Sequence, residues 1–182
     1  MSKWYGVLWV PDLWGAWMTL ARAMADPHAP GVPAHIVVQG PWDHRADITT
    51  TPLEHVMTVH IRGLSRWWRG SRLILGWAID APSLASLWHI PPSAPFCPGI
   101  VLYDGEDVAY AIRLWRALAR PSHRIQGSFV ASALSAWSPD GESDAPPYPA
   151  WTPFALTPAE RIVATRQLVR QGMWGSRSVR SL

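Results

Sequence analysis

The chain has 182 residues, of which 48% are hydrophobic and 16% are charged. This balance supports a folded core and excludes a disordered chain. No apolar run approaches the ~20 residues that cross a bilayer, so no membrane partner is expected. A net charge of +3 does not by itself identify a nucleic-acid-binding protein. We expect one domain over residues 1–172 and a flexible tail over residues 173–182.

Cysteine and histidine usage limits the kinds of site that the chain can hold. Cys97 is the only cysteine, so it forms no internal disulfide, and it has no partner at metal-ligand spacing. His55 and His60 lie at an odd spacing on one predicted strand, which sends their side chains to opposite faces. The start of the chain shows no signal-peptide pattern. The sequence therefore predicts a cytoplasmic protein with no metal and no cofactor, and it leaves the oligomeric state open.

The first predicted elements alternate between strand and helix. A strand is predicted for Lys3–Val10, where Pro11 follows and breaks the pattern. Apolar residues then recur at helical spacing over Leu13–Met24, with Asp12 as the predicted N-cap. The β-branched run Ala34–Gln39 predicts the second strand.

The middle of the chain predicts a hairpin and a buried strand. Two strands are expected over His55–Trp68 and Ser71–Ile79, joined by a turn near Gly70. A short helical turn over Ser83–Trp88 and a proline-rich loop lead to a buried strand at Gly99–Asp104.

The last third predicts two helices with strands between them. The first helix spans Val108–Arg120, and one or two strands follow within Arg124–Trp137. After a surface loop, Thr157 and Glu160 form a capping box that opens a helix ending near Gln171.

The order strand, helix, strand occurs twice, in residues 7–40 and again in residues 74–104. If a pseudo-twofold axis relates these halves, residues 35–38 and 99–102 lie on facing central strands. Alternate side chains of both segments then point into one shared cleft.

Each of these two central segments carries a motif frame, Pro33-Ala-His-Ile-Val-Val-Gln-Gly-Pro41 and Pro98-Gly-Ile-Val-Leu-Tyr-Asp-Gly105. The frames resemble those of the two-histidine (2H) phosphoesterase superfamily, which includes the bacterial RNA 2′,3′-cyclic phosphodiesterases, and the resemblance spans roughly residues 4–135. Members of this family carry a His-x-Thr/Ser-x motif in each half. The resemblance implies an α+β, two-lobed fold in which duplicated β-α-β lobes place antiparallel sheets around a central cleft.

Of the four catalytic side chains that the resemblance implies, only His35 is present. Val37 and Val101 stand where the family has hydroxyl residues, and Gly99 stands where it has the second histidine. The family reaction needs one histidine as base and one as acid, with both hydroxyls holding phosphate oxygens. Phosphodiester hydrolysis is therefore not expected, and the cleft is predicted to be an apolar slot.

Eight residues make up the predicted site. His35 and Tyr103 are the predicted catalytic residues, one giving or taking a proton and the other holding a polar group with its hydroxyl. The predicted substrate-binding residues are Val37, Gly99, Val101, Trp9, Trp42 and Trp77. We expect a repurposed biosynthetic enzyme that promotes cyclisation or isomerisation of an apolar small molecule. Tryptophans on regular elements are more often core residues, and a lone histidine is more often structural, so those interpretations stay open.

Two other functions stay open. Four arginines are interleaved with two tryptophans in one segment: Arg62, Arg66, Trp67, Trp68, Arg69 and Arg72. Such a cluster suits an inactive protein that binds RNA ends or a nucleotide, although it is also typical of a solvated hairpin end. A divergent 2′,3′-cyclic phosphodiesterase would need other groups, such as His44 or His123, in place of the lost ones.

Overall fold

The computed structural model describes residues 3–29, 32–48, 52–89, 98–122, 125–139 and 155–178. The strands are β1 (Trp4–Trp9), β2 (His35–Trp42), β3 (Pro52–Arg69), β4 (Arg72–Asp80), β5 (Gly99–Tyr103), β6 (Gly127–Ala133) and β7 (Ser135–Trp137). The helices are α1 (Asp12–Ala25), α2 (Val108–Ser122) and α3 (Pro158–Ser178), with short 3-10 helices at Arg45–Asp47 and Pro82–Leu87. The fold is mixed α+β.

The seven strands form one antiparallel sheet in the order β6-β3-β4-β5-β2-β1-β7. Only Leu134 separates β6 from β7 along the chain, yet these two strands lie at opposite ends of the strand order. The sheet therefore curls until its two ends approach each other, and β1 also contacts β6. Strands of both predicted halves belong to this one sheet, rather than to two separate sheets.

The two motif frames lie on adjacent strands at the centre of the sheet, because β2 pairs with β5 through Ile36 and Ile100. One row of paired residues crosses four neighbouring strands: Leu8, Ile36, Ile100 and Trp77. Side chains alternate along a strand, so this row defines one face of the sheet. All four side chains are fully buried. We call their side the helix face and the opposite side the far face.

The helices pack on the helix face in two layers. Trp17 of α1 contacts Trp77 with ring centroids 5.3 Å apart, and α2 lies against β3 and β4. The long helix α3 contacts α1 and α2. The core therefore lies between the sheet and the first pair of helices, where Met18, Leu114 and Leu118 are fully buried.

The hairpin and the capping box are confirmed. β3 and β4 pair from His60 opposite Asp80 to Arg69 opposite Arg72, with Gly70 in the turn at a φ of 59°. At the start of α3, Glu160 accepts a hydrogen bond from the Thr157 N–H at 2.8 Å, as the box requires.

Two predicted details of the elements are wrong. Helix α1 begins at Asp12 itself and has Pro11 at its N-cap position, so Asp12 is not the cap. Helix α3 continues to Ser178, beyond the predicted end near Gln171. The short helical turn predicted over Ser83–Trp88 is confirmed as the 3-10 helix Pro82–Leu87, which is much shorter than the 14-residue α1 of the first half. Among the described helices, none is long and apolar enough to cross a membrane.

Candidate functional site

Strand register brings five of the eight predicted site residues onto the far face: Trp9, His35, Val37, Gly99 and Val101. Trp9 of β1 pairs directly with His35 of β2. Extending the antiparallel pair of Ile36 and Ile100 by one residue in each direction places His35 opposite Val101, and Val37 opposite Gly99. The two motif frames therefore meet side by side on one surface.

His35 packs against two tryptophan rings. The Trp9 ring meets it edge-on at a centroid distance of 5.5 Å, and the centroid of the Trp137 ring lies 4.7 Å from that of His35. Trp137 comes from β7, which pairs with β1. This aromatic packing leaves only 6% of His35 exposed.

The protonation state of His35 follows from these surroundings. Its Nδ1 atom lies 2.7 Å from the Pro33 carbonyl oxygen, and a carbonyl only accepts, so Nδ1 carries the proton. Burial, reinforced by the positive charge of Arg22, lowers the pKa of His35 to about 3. The ring is therefore neutral at pH 7, and its Nε2 lone pair accepts hydrogen bonds. A pKa this low favours a hydrogen-bond acceptor over a proton carrier.

The space above Gly99 is occupied by a side chain of the same molecule. A Cβ atom built at Gly99 would lie 3.0 Å from Cη2 of Trp67, and one built at Gly76 would lie 2.7 Å from the same atom. Trp67 belongs to β3 and pairs with Ile74, so its ring reaches across β4 towards β5. The glycine at position 99 therefore makes room for the Trp67 ring.

Between these aromatic groups lies an apolar strip formed by Val37 and Val101, both half-buried. His35 stands on β2 and the Trp67 ring covers β4, and these strands are two spacings apart, or about 10 Å. The Trp67 ring lies over the backbone of β4, and both it and the Trp9 ring are larger than the valine side chains of the strip. The strip is thus the floor of a shallow trough with aromatic flanks, and we call it the valine trough.

Three predicted site residues lie elsewhere. Trp77 belongs to the helix face, where Trp17 covers it. Tyr103 donates a hydrogen bond to the Asp107 carbonyl at 3.3 Å and packs against Tyr110 of α2 at a centroid distance of 5.1 Å.

Trp42 lies at the end of β2, paired with Trp4. Because Tyr103 packs against α2, the structure does not bring it to His35.

Tyr103 instead lines a cleft of about 650 Å³ on the helix side. Two polar side chains that line this cleft bind the end of α1. Tyr110 donates to the Ala25 carbonyl at 2.8 Å, and Arg161 of α3 donates to the Met24 carbonyl at 3.0 Å. These two side chains satisfy the carbonyls at the end of α1, which identifies the cleft as a junction between helices.

The arginines of the arginine and tryptophan cluster contact several different partners within the protein. Arg62 forms an ion pair with Asp80, and Asp104 accepts from Arg69 at 3.0 Å and from Arg72 at 3.2 Å. The Arg66 guanidinium lies 5.1 Å from the centre of the Trp115 ring. Trp67 and Trp68 are adjacent on β3 and therefore point to opposite faces. The cluster offers a nucleic acid fewer uncommitted cations than its sequence indicates.

The residues that sequence reasoning missed are Trp137, Trp67 and Gly76. Alternation along β3 separates Trp67 from Trp68 and is visible in the sequence, but Trp137 reaches His35 only through the pairing of β7 with β1. No group of three or more His, Cys, Asp or Glu side chains within the described ranges is placed to hold a metal ion. Comparisons of the chain with models of protein families, with curated proteins and with solved structures gave no match.

Proposed function

We propose that the protein binds an apolar, ring-containing small molecule in the valine trough and promotes its cyclisation or isomerisation, without hydrolysing a phosphodiester. The observation that most directly supports this proposal is the apolar floor of the trough. Two valines lie where the resembling family places hydroxyls, on adjacent strands and on the face that carries His35. An apolar floor between aromatic flanks favours burial of hydrocarbon and offers nothing to a phosphate.

The proposal includes descent from a duplicated, 2H-like fold. The adjacent, antiparallel placement of β2 and β5 supports it, because each strand carries one motif frame and both frames present alternate residues to the far face. β1 pairs with β2 as β4 pairs with β5, so the inner four strands follow the same pattern on both sides of the centre.

In this proposal His35 orients the substrate. Its neutral ring accepts a hydrogen bond at Nε2 from a hydroxyl or N–H group of the substrate, while Nδ1 stays bound to the Pro33 carbonyl. The apolar remainder of the substrate folds against Val37 and Val101. Holding a flexible chain in one reactive shape supplies most of what a cyclisation requires.

The first test measures binding of 2-naphthol and naphthalene to the purified chain by calorimetry. Val37→Thr and Val101→Thr add one hydroxyl each without changing the side-chain shape. Each hydroxyl loses water without a partner when the probe covers it, so we expect about tenfold weaker binding of both probes. Val163→Thr, at a position 65% exposed on α3, is the matched control and leaves binding unchanged. Equal affinity of all three variants would contradict the trough as the site.

The second test separates the two nitrogens of His35. Asn places its amide nitrogen near the position of Nδ1 and keeps the bond to Pro33, whereas Gln places its amide near the position of Nε2. We expect His35→Asn to abolish the preference for 2-naphthol over naphthalene and His35→Gln to retain part of it. A preference for 2-naphthol that survives His35→Asn would show that another group accepts the hydrogen bond from its hydroxyl.

A further inference from the structure

Two glycines on neighbouring strands form a flat patch on the far face. Gly76 of β4 pairs with Val101, and Gly99 of β5 pairs with Ala78, so both glycines lie on the far face, one pairing position apart. Neither residue has a side chain to rise from the sheet. We call this patch the glycine floor, and it borders the valine trough at Val101.

The Trp67 ring lies on the glycine floor. Its Cη2 atom would be 2.7 Å from a Cβ at Gly76 and 3.0 Å from a Cβ at Gly99, and its Cζ3 atom would be 3.5 Å from the latter. A Cβ at Gly76 would clash with this ring, and a Cβ at Gly99 would require the ring to move by a few tenths of an ångström. The floor therefore has the shape of one edge of an indole, and it accepts that edge only because both residues are glycine.

The ring is also accessible from outside. Trp67 is half-buried, whereas its strand partner Ile74 is completely buried. Trp67 thus covers the backbone beneath it while part of its own surface meets solvent. It flanks the trough on the side opposite His35, where a ligand that extends past Val101 meets it.

We propose that the glycine floor is a subsite for a planar aromatic ring, which Trp67 occupies in this structure, and that Trp67 sets the length of ligand that the trough accepts. The identity of the extended ligand rests on the proposed function of the trough. The subsite itself rests on the contacts between Trp67 and the two glycines.

The experiment removes the ring and offers a free one. In Trp67→Ala the glycine floor loses its cover, and we expect indole to bind with a dissociation constant of about 1 mM and to raise the melting temperature of the variant. Trp68→Ala is the matched control, because Trp68 is the adjacent residue, is 62% exposed and points to the other face. We expect no effect of indole on Trp68→Ala.

Two further variants test whether indole binds at the glycine floor even if Trp67→Ala does not fold. Trp67→Leu retains an apolar side chain over β4 but does not reach Gly99, so it serves if Trp67→Ala does not fold. Adding Gly99→Val to either variant fills the subsite and abolishes indole binding. The proposal is overturned if the folded Trp67 variants do not bind indole, or if they bind it equally with Gly99→Val present.

The outcome is independent of the trough experiment. Binding of indole to Trp67→Ala, together with failure of the wild-type chain to bind naphthalene, would retain the subsite and remove the proposed function. Binding of naphthalene to wild type without a gain of indole binding in the Trp67 variants would do the reverse. If both proposals hold, Trp67→Ala also binds anthracene, which is longer than naphthalene, at least tenfold more tightly than wild type does.

Discussion

Acidification tests the burial of His35 through its effect on stability. The pKa of His35 is about 3 in the folded protein against 6.5 for an exposed histidine, so the unfolded chain takes up a proton that the folded chain does not. Stability from this residue is complete above pH 6.5 and is lost as the pH falls towards 3. Each pH unit in this window lowers the free energy of unfolding by about 1.4 kcal/mol, which amounts to about 3 kcal/mol at pH 4.5.

The assay is urea unfolding followed by circular dichroism at several pH values between 7.5 and 4.5, for wild type and His35→Asn. Asn does not titrate, and its amide replaces the donor to the Pro33 carbonyl. Carboxylates such as Asp43, whose pKa is lowered by Lys3, destabilise both proteins alike on acidification, so they cancel in the difference. We expect wild type to lose about 3 kcal/mol more than His35→Asn does.

The matched control is His60→Asn, which removes an exposed histidine from the far face of β3. It should follow the wild-type pH dependence. Parallel loss of stability in wild type and His35→Asn would refute the reasoning, because His35 would then be protonated equally in the folded and unfolded states. A ring that is readily protonated in the folded protein would also restore its use as a proton carrier.

Two further predictions concern the scaffold. Arg161→Met leaves carbonyls at the end of α1 unpaired, so it should lower the free energy of unfolding by about 2–4 kcal/mol in urea titrations. Arg166 is exposed on the same helix, and Arg166→Met should change this free energy by less than about 0.5 kcal/mol. Equal effects of the two variants would argue against the helix junction. Gly76→Ala places a Cβ 2.5 Å from the Ile100 carbonyl oxygen, so it should lower the free energy of unfolding by at least about 2 kcal/mol. Gly70 lies in open space at a φ of 59°, and Gly70→Asn should be nearly neutral in the same assay. A Gly76→Ala variant as stable as wild type would contradict the tight approach of β4 and β5.

Local patterns in the sequence were sufficient for most of the elements. β-Branched runs and turn residues locate β2 and the β3–β4 hairpin, and the capping box locates the start of α3, because these signals act over a few residues. Helix ends were less predictable. The end of α3 depends on continued backbone hydrogen bonding to Ser178, which its composition does not indicate.

The candidate site was predictable where it depends on one strand and unpredictable where it depends on pairing. Alternation along β2 places His35 and Val37 on one face from the sequence alone. The position of Trp137 beside His35 depends on β7 crossing to the far end of the strand order, after a single intervening residue. Burial of Trp77 under α1 likewise depends on which face the helices cover. Strand pairing and helix packing between distant parts of the chain decide these positions, and they leave no pattern in the local sequence.

If the proposed 2H-like descent holds, the features that oppose hydrolysis extend beyond Val37, Gly99 and Val101. Thr at positions 37 and 101 and His at position 99 would complete the side-chain set that the resemblance implies, but a Cβ at Gly99 already lies 3.0 Å from Trp67 and 3.2 Å from the Trp77 carbonyl oxygen. A histidine there requires Trp67 to leave the glycine floor. His35 would still pack against Trp9 and Trp137, and its burial together with the charge of Arg22 would still keep its pKa at about 3. The low pKa of His35 and the apolar floor thus both oppose acid–base chemistry on a charged substrate, which agrees with the proposed function.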